Sequence, residues 1–301
     1  MKTYIGVDLG GTNVRVALVD EHGTVLQDKK EASEVDKGVP YVIQKIIRLI
    51  ESLDNYENAE GIGMGVPGPV DTVAGKIVVT NNLPGFAGEP LAQMIQDHFK
   101  KPTFMDNDVN VAGLGEATLG AGKGKSIVYY ITVSTGIGGA LMIDGKVIAG
   151  KHGHAGELCN IVVDRNREAR NGLAAGALEN EASGTAITRK GKELFGDSIE
   201  HAGDVFQLAA DGNEQALELV DSVAYDLAQG FAATALVIDP DIFVLGGGVM
   251  KSKEIFFNRF HNYFKELVFP GMRDIEFAYA QLDEPGIVGA AMLPLAYIKN
   301  K

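Results

Sequence analysis

The sequence predicts an α/β protein built from two similar halves, and two patterns carry this prediction. A strand, a turn rich in glycine and threonine, and a second strand open the chain at residues 4–20, and the same pattern returns at residues 127–143. Downstream of each opening, short apolar runs alternate with runs of helical periodicity. Each half is therefore predicted to follow the order βββαβαβα.

The first half begins with a predicted three-stranded meander at residues 4–7, 13–20 and 24–30. Apolar side chains recur at three- and four-residue spacing over residues 39–53, which predicts an amphipathic helix. The remaining predicted elements are a buried strand at 61–66, loops at 67–69 and 81–86, a helix at about 89–99, a strand at 102–105 and a helix that begins near residue 108.

The second half repeats the opening, with a glycine turn at 134–139 between its first two strands. Strands are predicted at 127–133, 140–143, 146–149, 241–245 and 275–280, and helices at 178–194, 213–238, 252–267 and 287–298. The last helix is expected to pack back on the first half. We predict a smaller N-terminal domain of residues 1–120 with a C-terminal helix at about 286–301, and a larger domain of residues 121–285.

Composition and charge narrow the possible function classes. The chain has 301 residues, of which 46% are hydrophobic and 22% charged, as is typical of a globular protein. Its formal net charge of -13 repels phosphate backbones and anionic lipid, so neither nucleic acid nor a membrane is expected as a partner. Cys159 is the only cysteine, which excludes an intramolecular disulfide. No leader pattern and no apolar stretch of about 20 residues occurs, so a cytoplasmic location is expected.

Three glycine-rich turns follow predicted strands. Glycine lets several backbone N–H groups approach one anion, and Thr12 or Thr135 adds a hydroxyl donor. No G-x-x-x-x-G-K-[ST] string occurs, and the two hairpin turns lead into strands rather than helices, which excludes P-loop and Rossmann sites. The turns are Asp8-Leu-Gly-Gly-Thr12, Ser134-Thr-Gly-Ile-Gly-Gly139 and Leu245-Gly-Gly-Gly-Val249. A duplicated plan with two phosphate-binding hairpins resembles the actin-like ATPase (ribonuclease H-like) fold, in which two βββαβαβα domains have a cleft between them.

Carboxylates and carboxamides gather where the strand at 102–105 meets the next helix. Asp108 falls at the predicted N-cap of that helix, with Asn107 and Asn110 beside it. A carboxylate at this point either caps the helix or accepts a proton from a bound hydroxyl. The glycine turns elsewhere in the chain favour the second role.

The sequence resembles the ROK family of sugar kinases, of which bacterial glucokinases are the best-known group. The resemblance covers nearly the whole chain, with the motifs in the family's order. They are Asp8-Leu-Gly-Gly-Thr-Asn-Val-Arg15, Gly65-Val-Pro-Gly-Pro-Val-Asp71, Asn82-Leu-Pro-Gly-Phe86, Asp106-Asn-Asp-Val-Asn-Val-Ala-Gly-Leu-Gly-Glu116, the turn at 134–139, Gly153-His-Ala-Gly-Glu157, Glu179 with Ala182-Ser-Gly184, and the turn at 245–249.

The family resemblance implies a role for each matching residue. Asp108 would be the catalytic base, and Asp8 would orient a hydrated Mg²⁺. The implied sugar site consists of Asn107, Glu157, Glu179, His154, Asn160, Gly68 and Asn82. The implied ATP site consists of Gly10, Gly11, Thr12, Asn13, Thr135 and Gly136 at the phosphates, with Gly246, Gly247 and Gly248 against the adenosine.

One departure from the family pattern concerns zinc. Family members usually carry a histidine and three later cysteines that bind a structural zinc ion. Here Asn160 stands at the histidine position, and the thiolate positions hold Arg170, Gly172 and Ala177. We therefore predict no structural zinc. Asn160 either keeps a hydrogen bond to the sugar or changes which sugars fit.

These observations predict an ATP- and Mg²⁺-dependent hexose kinase that phosphorylates glucose first. The family resemblance also implies a homodimer. The alternative substrates are fructose, mannose, N-acetylmannosamine, N-acetylglucosamine or a β-glucoside. A sugar-responsive repressor is not expected, because only residues 1–3 precede the first strand and the chain is acidic. A non-catalytic sugar-binding protein is disfavoured by Asp108 and the three glycine turns.

Four residues have ordinary structural interpretations beside functional ones. We expect Glu181 to be solvated and Cys159 to be a small buried hydrophobe. His154 either contacts the sugar or packs near its turn. Arg15 either meets a phosphate or forms a salt bridge on the strand surface.

Overall fold

The computed structural model describes residues 1–298, whose contacts group them into two units. Unit 1 comprises residues 1–126, residues 140–155 and the C-terminal segment from residue 280. Unit 2 comprises residues 127–139 and 156–279. The domain boundaries given above, after residues 120 and 285, stay a prediction.

Strands and helices alternate along the described chain. The strands are β1 (Thr3–Leu9), β2 (Asn13–Asp20), β3 (Val25–Ala32), β4 (Ile62–Val66), β5 (Val70–Asp71), β6 (Lys76–Ile77), β7 (Thr103–Asn107), β8 (Ile127–Val133), β9 (Ile137–Ile143), β10 (Lys146–Val147), β11 (Ile242–Gly246) and β12 (Glu276–Tyr279). The helices are α1 (Val39–Glu51), α2 (Leu91–Phe99), α3 (Asp108–Thr118), α4 (Leu178–Ala182), α5 (Gly184–Phe195), α6 (Ala202–Ala210), α7 (Glu214–Ile238), α8 (Lys253–Leu267) and α9 (Pro285–Ile298).

Two five-stranded sheets have the same strand order. The first runs β3-β2-β1-β4-β7 and the second β10-β9-β8-β11-β12. In the first sheet, β1 pairs antiparallel with β2 and parallel with β4, and β4 pairs parallel with β7. In the second, β8 pairs parallel with β11, and β11 with β12. This correspondence confirms the α/β fold class and the internal repeat predicted from the sequence.

Helix α9 lies directly on the first sheet because glycines face it. A Cβ atom added at Gly63 of β4 would lie 1.8 Å from the carbonyl oxygen of Ala290. A Cβ atom added at Gly289 would lie 1.7 Å from the carbonyl oxygen of Val111 in α3. Helices α3 and α9 therefore meet backbone to backbone, and the last helix packs on the first half as predicted.

Unit 2 has an aromatic core between its sheet and its long helices. Phe243 of β11 lies 5.2 Å from Phe231 of α7 and 5.3 Å from Phe277 of β12, measured between ring centroids. Phe260 of α8 approaches Phe231 edge-on at 4.9 Å. These rings fix α7 and α8 against the sheet, so the turns at its strand ends have a rigid support.

Several predicted elements differ from the structure. The helix predicted at 178–194 is interrupted at Ser183, whose hydroxyl accepts from Ala186 N–H and starts α5. Strand β9 begins at Ile137, inside the predicted glycine turn. Helix α6 and the β5–β6 hairpin were not predicted. The C-terminal helix is described as far as Ile298, and residues 299–301 of the predicted helix lie outside the described residues.

No helix within residues 1–298 combines the length and apolar character that crossing a membrane requires.

Candidate active site

The turn between β1 and β2 holds the first group of predicted phosphate ligands. Gly10 N–H donates to the carbonyl oxygen of Asn13 at 2.9 Å, and Ser33 Oγ donates to that of Gly11 at 2.8 Å. A Cβ atom at Gly11 would lie 2.7 Å from the carbonyl oxygen of Asn82, so only glycine fits at this position. Thr12 and Asn13 are exposed at the tip of the turn.

Asp8 is the carboxylate at the end of β1. Burial raises its pKa, while the nearby cations Arg15 and Lys30 act in the opposite direction. Arg15 itself forms ion pairs with Asp28, at 2.8 Å, and with Glu284. Of the two roles predicted for Arg15, the structure therefore supports the salt bridge. Asp8 remains the partly buried carboxylate beside the glycine turn.

The β7–α3 junction places Asp108 differently from the prediction. Asn107, not Asp108, is the N-cap: its Oδ1 accepts from Val109 N–H at 2.8 Å and from Asn110 N–H at 3.4 Å. The amide caps better here because Asn107 has extended backbone angles, whereas Asp108 is already helical. Asp108 is therefore the exposed first residue of α3, where its Oδ1 accepts from Val109 N–H at 2.9 Å.

Asp106 and Gly68 fix Asn107 from two sides. Asp106 is buried, and its Oδ1 accepts from the N–H of Asn107 and the side-chain amide of Asn110, both at 2.7 Å. Asn107 Nδ2 donates to the carbonyl oxygen of Gly68 at 3.0 Å. Gly68 has φ of 91°, and a Cβ there would lie 2.3 Å from the Val79 carbonyl oxygen. The junction that presents Asp108 is thus held rigidly.

Unit 1 also contains two of the predicted sugar residues in exposed loops. Asn82 lies beside Gly11, and its N–H donates to Thr80 Oγ1 at 3.2 Å. His154 is exposed and follows Gly153, which has φ of 73°.

In unit 2, Glu179 is hydrogen-bonded to the turn that follows β8. Its Oε2 accepts from Ile137 N–H at 2.8 Å, and a Cβ atom at Gly136 would lie 2.5 Å from that oxygen. The turn is further held by the start of α5, since Gly184 N–H donates to the Ser134 carbonyl oxygen at 2.7 Å. Thr135, at its tip, is exposed. A predicted sugar residue and two predicted phosphate residues are therefore neighbours.

Glu157 and Asn160 lie on the segment that precedes α4, and both are exposed. Cys159 is half-buried, and its thiol lies 3.5 Å from Glu157 Oε2. Burial and the Glu157 charge raise the pKa of this thiol to about 12, so it stays protonated and donates. Asn160 Oδ1 accepts from Ala174 N–H at 2.8 Å, which closes the loop between them.

A cavity of about 1000 Å³ opens beside the same turn in unit 2. Its walls come from the turn at Thr135, from α5 and α6, and from the segment after β11. Residues that line it include Thr135, Thr188, His201, Phe206, Gly248 and Val249. Only Thr135 and Gly248 were predicted as ligand residues. Thr188 of α5 and Phe206 of α6 belong to none of the motifs named above, so the sequence gives no signal for this part of the cavity.

Gly246 and Gly247 shape the strand end instead of lining that cavity. A Cβ atom at Gly246 would lie 2.5 Å from the Tyr130 hydroxyl, and one at Gly247 would lie 2.3 Å from the Val133 carbonyl oxygen. A second cavity, of about 580 Å³, also adjoins the turn and is lined by residues that include Thr135, Gly136, Glu179, Arg170, Asn171 and Arg189.

Within the described part of the chain, no group of three or more His, Cys, Asp or Glu side chains is arranged to hold a metal ion. The absence of structural zinc stays a prediction.

Comparison with known proteins identifies the family. A model of the ROK family matches residues 4–296. The chain belongs to the ROK family. The glucokinase of Thermotoga maritima is 32% identical over 304 residues, which cover 96% of this chain and 96% of that relative.

Solved ROK structures resemble the whole chain. A ROK hexokinase from Thermus thermophilus has a TM-score of 0.89 and 29% identity, and the match covers 99% of this chain and 100% of that one. A ROK family glucokinase from Streptomyces griseus, in complex with glucose and AMPPNP, has a TM-score of 0.76 and 27% identity over 97% and 98% of the two chains. The fold is therefore that of the actin-like ATPases, and these ROK relatives support a sugar kinase.

Proposed function

We propose that this ROK protein is an ATP- and Mg²⁺-dependent hexose kinase that phosphorylates a hydroxyl of glucose. The observation that carries the proposal is the β7–α3 junction, where an exposed carboxylate, Asp108, is held beside the amide of Asn107. The ROK glucokinase solved with glucose and AMPPNP supports both ligand classes. The homodimer and the cytoplasmic location remain predictions.

Two turns and a cavity would bind the nucleotide. The backbone N–H groups of Gly11 and Thr12, and those of Thr135 and Gly136, are suited to phosphate oxygens, as glycine turns generally are. The cavity beside Thr135 has the size and mixed lining that an adenosine group needs, with Phe206 for the base and polar side chains around it. Gly248 is the member of the 246–248 turn that reaches this cavity.

Asp8 is suited to a hydrated Mg²⁺. This ion usually keeps several waters and takes one or two carboxylates together with substrate phosphates, so a single partly buried carboxylate beside a phosphate-binding turn matches its needs. When bound, the ion neutralises phosphate charge during transfer.

Asp108 would act as the general base. The sugar hydroxyl oxygen forms a bond to the γ-phosphorus, the bond from that phosphorus to the β,γ-bridging oxygen breaks, and ADP leaves. The hydroxyl proton passes to the Asp108 carboxylate. The sugar itself would be held by Asn107, Glu157 and Glu179, with further contacts from Gly68, Asn82, His154 and Asn160. Because phosphoryl transfer depends mainly on alignment and charge neutralisation, no covalent intermediate is needed.

The first test is an ADP-release assay with Mg-ATP and a panel of hexoses, N-acetylhexosamines and β-glucosides. Turnover concentrated on glucose supports the full proposal. Turnover on another sugar keeps the mechanism and changes the substrate. The absence of ADP release with every sugar would refute the proposed kinase activity and favour a sugar-binding protein.

The role of Asp108 is tested by the Asp108→Ala variant. We expect kcat to fall by about 10²- to 10⁴-fold, the usual contribution of a general base, while sugar and ATP still bind in calorimetry. Asp36→Ala, which removes another exposed carboxylate of unit 1, is the control and should keep wild-type turnover. Near-normal turnover of the Asp108 variant would rule out this assignment.

A further inference from the structure

An ion-pair network built on two buried carboxylates lies outside the residues proposed to touch ligands. We call its four members, Arg167, Glu181, Lys190 and Asp226, the Arg167 network. One guanidinium nitrogen of Arg167 donates to Asp226 Oδ2 at 2.6 Å and to Glu181 Oε2 at 3.0 Å. Lys190 Nζ lies 2.8 Å from the same Glu181 oxygen. The side chains of Asp226 and Glu181 are 0% and 6% exposed, so the prediction of a solvated Glu181 was wrong.

The network joins four parts of unit 2. Arg167 lies on the segment before α4, Glu181 on α4, Lys190 on α5 and Asp226 in the middle of α7. Helix α4 has only five residues, too few to be stable alone, so its position depends on its tertiary contacts. Lys190 Nζ strengthens this hold because it also donates to the Glu181 carbonyl oxygen, at 2.9 Å.

The position of α4 determines the position of Glu179. Residues two apart on a helix point about 200° apart, so Glu179 projects away from the side where Glu181 enters the network. There its carboxylate accepts from Ile137 N–H at 2.8 Å. Helix α4 is therefore held from opposite sides, by the network and by the turn after β8.

The segment that carries Glu157 and Asn160 is tied to the same helix. Glu179 N–H donates to the Cys159 carbonyl oxygen at 3.0 Å, and Leu178 N–H donates to that of Ile161 at 2.8 Å. A shift of α4 thus moves this segment as well as Glu179.

The energetics of the network point to positioning rather than stability. Taking charges out of water has a large free-energy cost, and buried pairs are often no more stabilising than well-packed apolar side chains. Asp226 Oδ1 is buried and accepts no hydrogen bond from the described residues, so the arrangement is not the most stable one available. What the network does provide is a fixed geometry among α4, α5 and α7.

We propose that the Arg167 network positions α4 so that Glu179 and the segment bearing Glu157 and Asn160 meet the sugar. This inference rests on the proposed function for the role of the sugar. Arg167 and Lys190 are positioning residues, since they act through α4 and do not touch the substrate.

The test compares Arg167→Met with a matched surface variant, Arg259→Met. Arg259 also pairs with an aspartate of α7, Asp221, but its side chain is 44% exposed, so its loss should change little. In Arg167→Met we expect the KM for sugar to rise at least tenfold, with kcat within threefold and the KM for ATP within twofold of wild type. Arg167→Lys, which keeps the charge, should recover part of the loss.

Backbone hydrogen exchange of residues 158–182, measured without substrates, provides a readout that needs no turnover. It should accelerate at least tenfold in Arg167→Met and stay unchanged in Arg259→Met. If Arg167→Met does not fold, Arg167→Met/Asp226→Leu, which removes both charges, is used and should show the same two effects.

A folded variant with unchanged exchange and a sugar KM within twofold of wild type would overturn the inference. A wild-type protein without sugar-dependent turnover would instead refute the proposed function, while accelerated exchange in the variant would still establish that the network holds α4.

Discussion

Substitution of Gly289 by alanine tests whether the packing of α9 on α3 holds the proposed base in place. The new Cβ atom would lie 1.7 Å from the carbonyl oxygen of Val111 and 2.5 Å from its carbonyl carbon. Both atoms belong to backbone, so no side chain can rotate away. Val111 follows Asp108 by three residues on α3, which places the two on neighbouring parts of the same helix face.

The magnitude follows from this distance. The added methyl group is roughly 1.5 Å short of van der Waals separation, so α3 must move by about that amount relative to α9. A misplacement of about 1 Å at a catalytic group typically costs about 10²-fold in rate, and we expect kcat to fall by at least that factor. Overpacking should also lower the free energy of unfolding by about 1–3 kcal/mol. Alanine is favoured over glycine within a helix by about 1 kcal/mol, so a measured loss reflects the contact itself.

The assay is ADP release under saturating sugar and ATP, with urea unfolding of the same preparations. Gly271→Ala is the control, because a Cβ atom there would enter open space. A folded Gly289→Ala protein with kcat within threefold of wild type would refute the link between this helix contact and Asp108.

Two further predictions concern a buried carboxylate and the large cavity of unit 2. Burial raises the pKa of Asp106 in the folded protein, so the folded state binds this proton more readily than the unfolded chain. The free energy of unfolding of the wild-type protein should therefore increase, through this group, as pH falls from neutral towards about 4. The Asp106→Asn variant keeps an oxygen that can accept the same two hydrogen bonds but has no carboxyl group to protonate, so it should lack this increase. Its stability relative to wild type, measured by urea unfolding, should be highest near neutral pH and decrease on acidification. Thr185→Trp, at a position that lines both cavities, should raise the KM for ATP at least tenfold and leave the KM for sugar within twofold.

Specific results would contradict the predictions for Asp106→Asn and Thr185→Trp. A stability difference between Asp106→Asn and wild type that is constant from pH 7 to pH 5 would show that this carboxyl does not titrate as proposed. An unchanged KM for ATP in a folded Thr185→Trp protein would place the nucleotide elsewhere.

The sequence predicted those features whose cause is local. The glycine turns and the alternation of strands and helices along the chain follow from hydrophobic period and turn composition, and both are present. The capping residue was assigned one position too late, because Asn107 and Asp108 are both good N-caps and only the backbone angles decide between them.

Non-local contacts account for the remaining differences. Glu181 was expected in solvent because it lies two residues from Glu179 and so off that helix face. In the structure its carboxylate is buried, and Arg167 and Lys190 compensate its charge. Glu116, the last residue of the motif around Asp108, is fully buried and accepts from the N–H groups of Gln281 and Leu282, a partnership across 165 residues of sequence. No local pattern reveals such pairs.

The contact of α9 with the first sheet also has a consequence for biosynthesis. Residues 285–298 complete the hydrophobic core around α3 and the glycine face of β4, yet they follow the whole of unit 2 in the chain. During translation, residues 1–126 of unit 1 therefore emerge first, but the apolar face of their sheet is not yet covered by α9. It stays uncovered while more than 150 further residues are added. The N-terminal strands of this protein thus reach their native environment only after residues 285–298 have been synthesised.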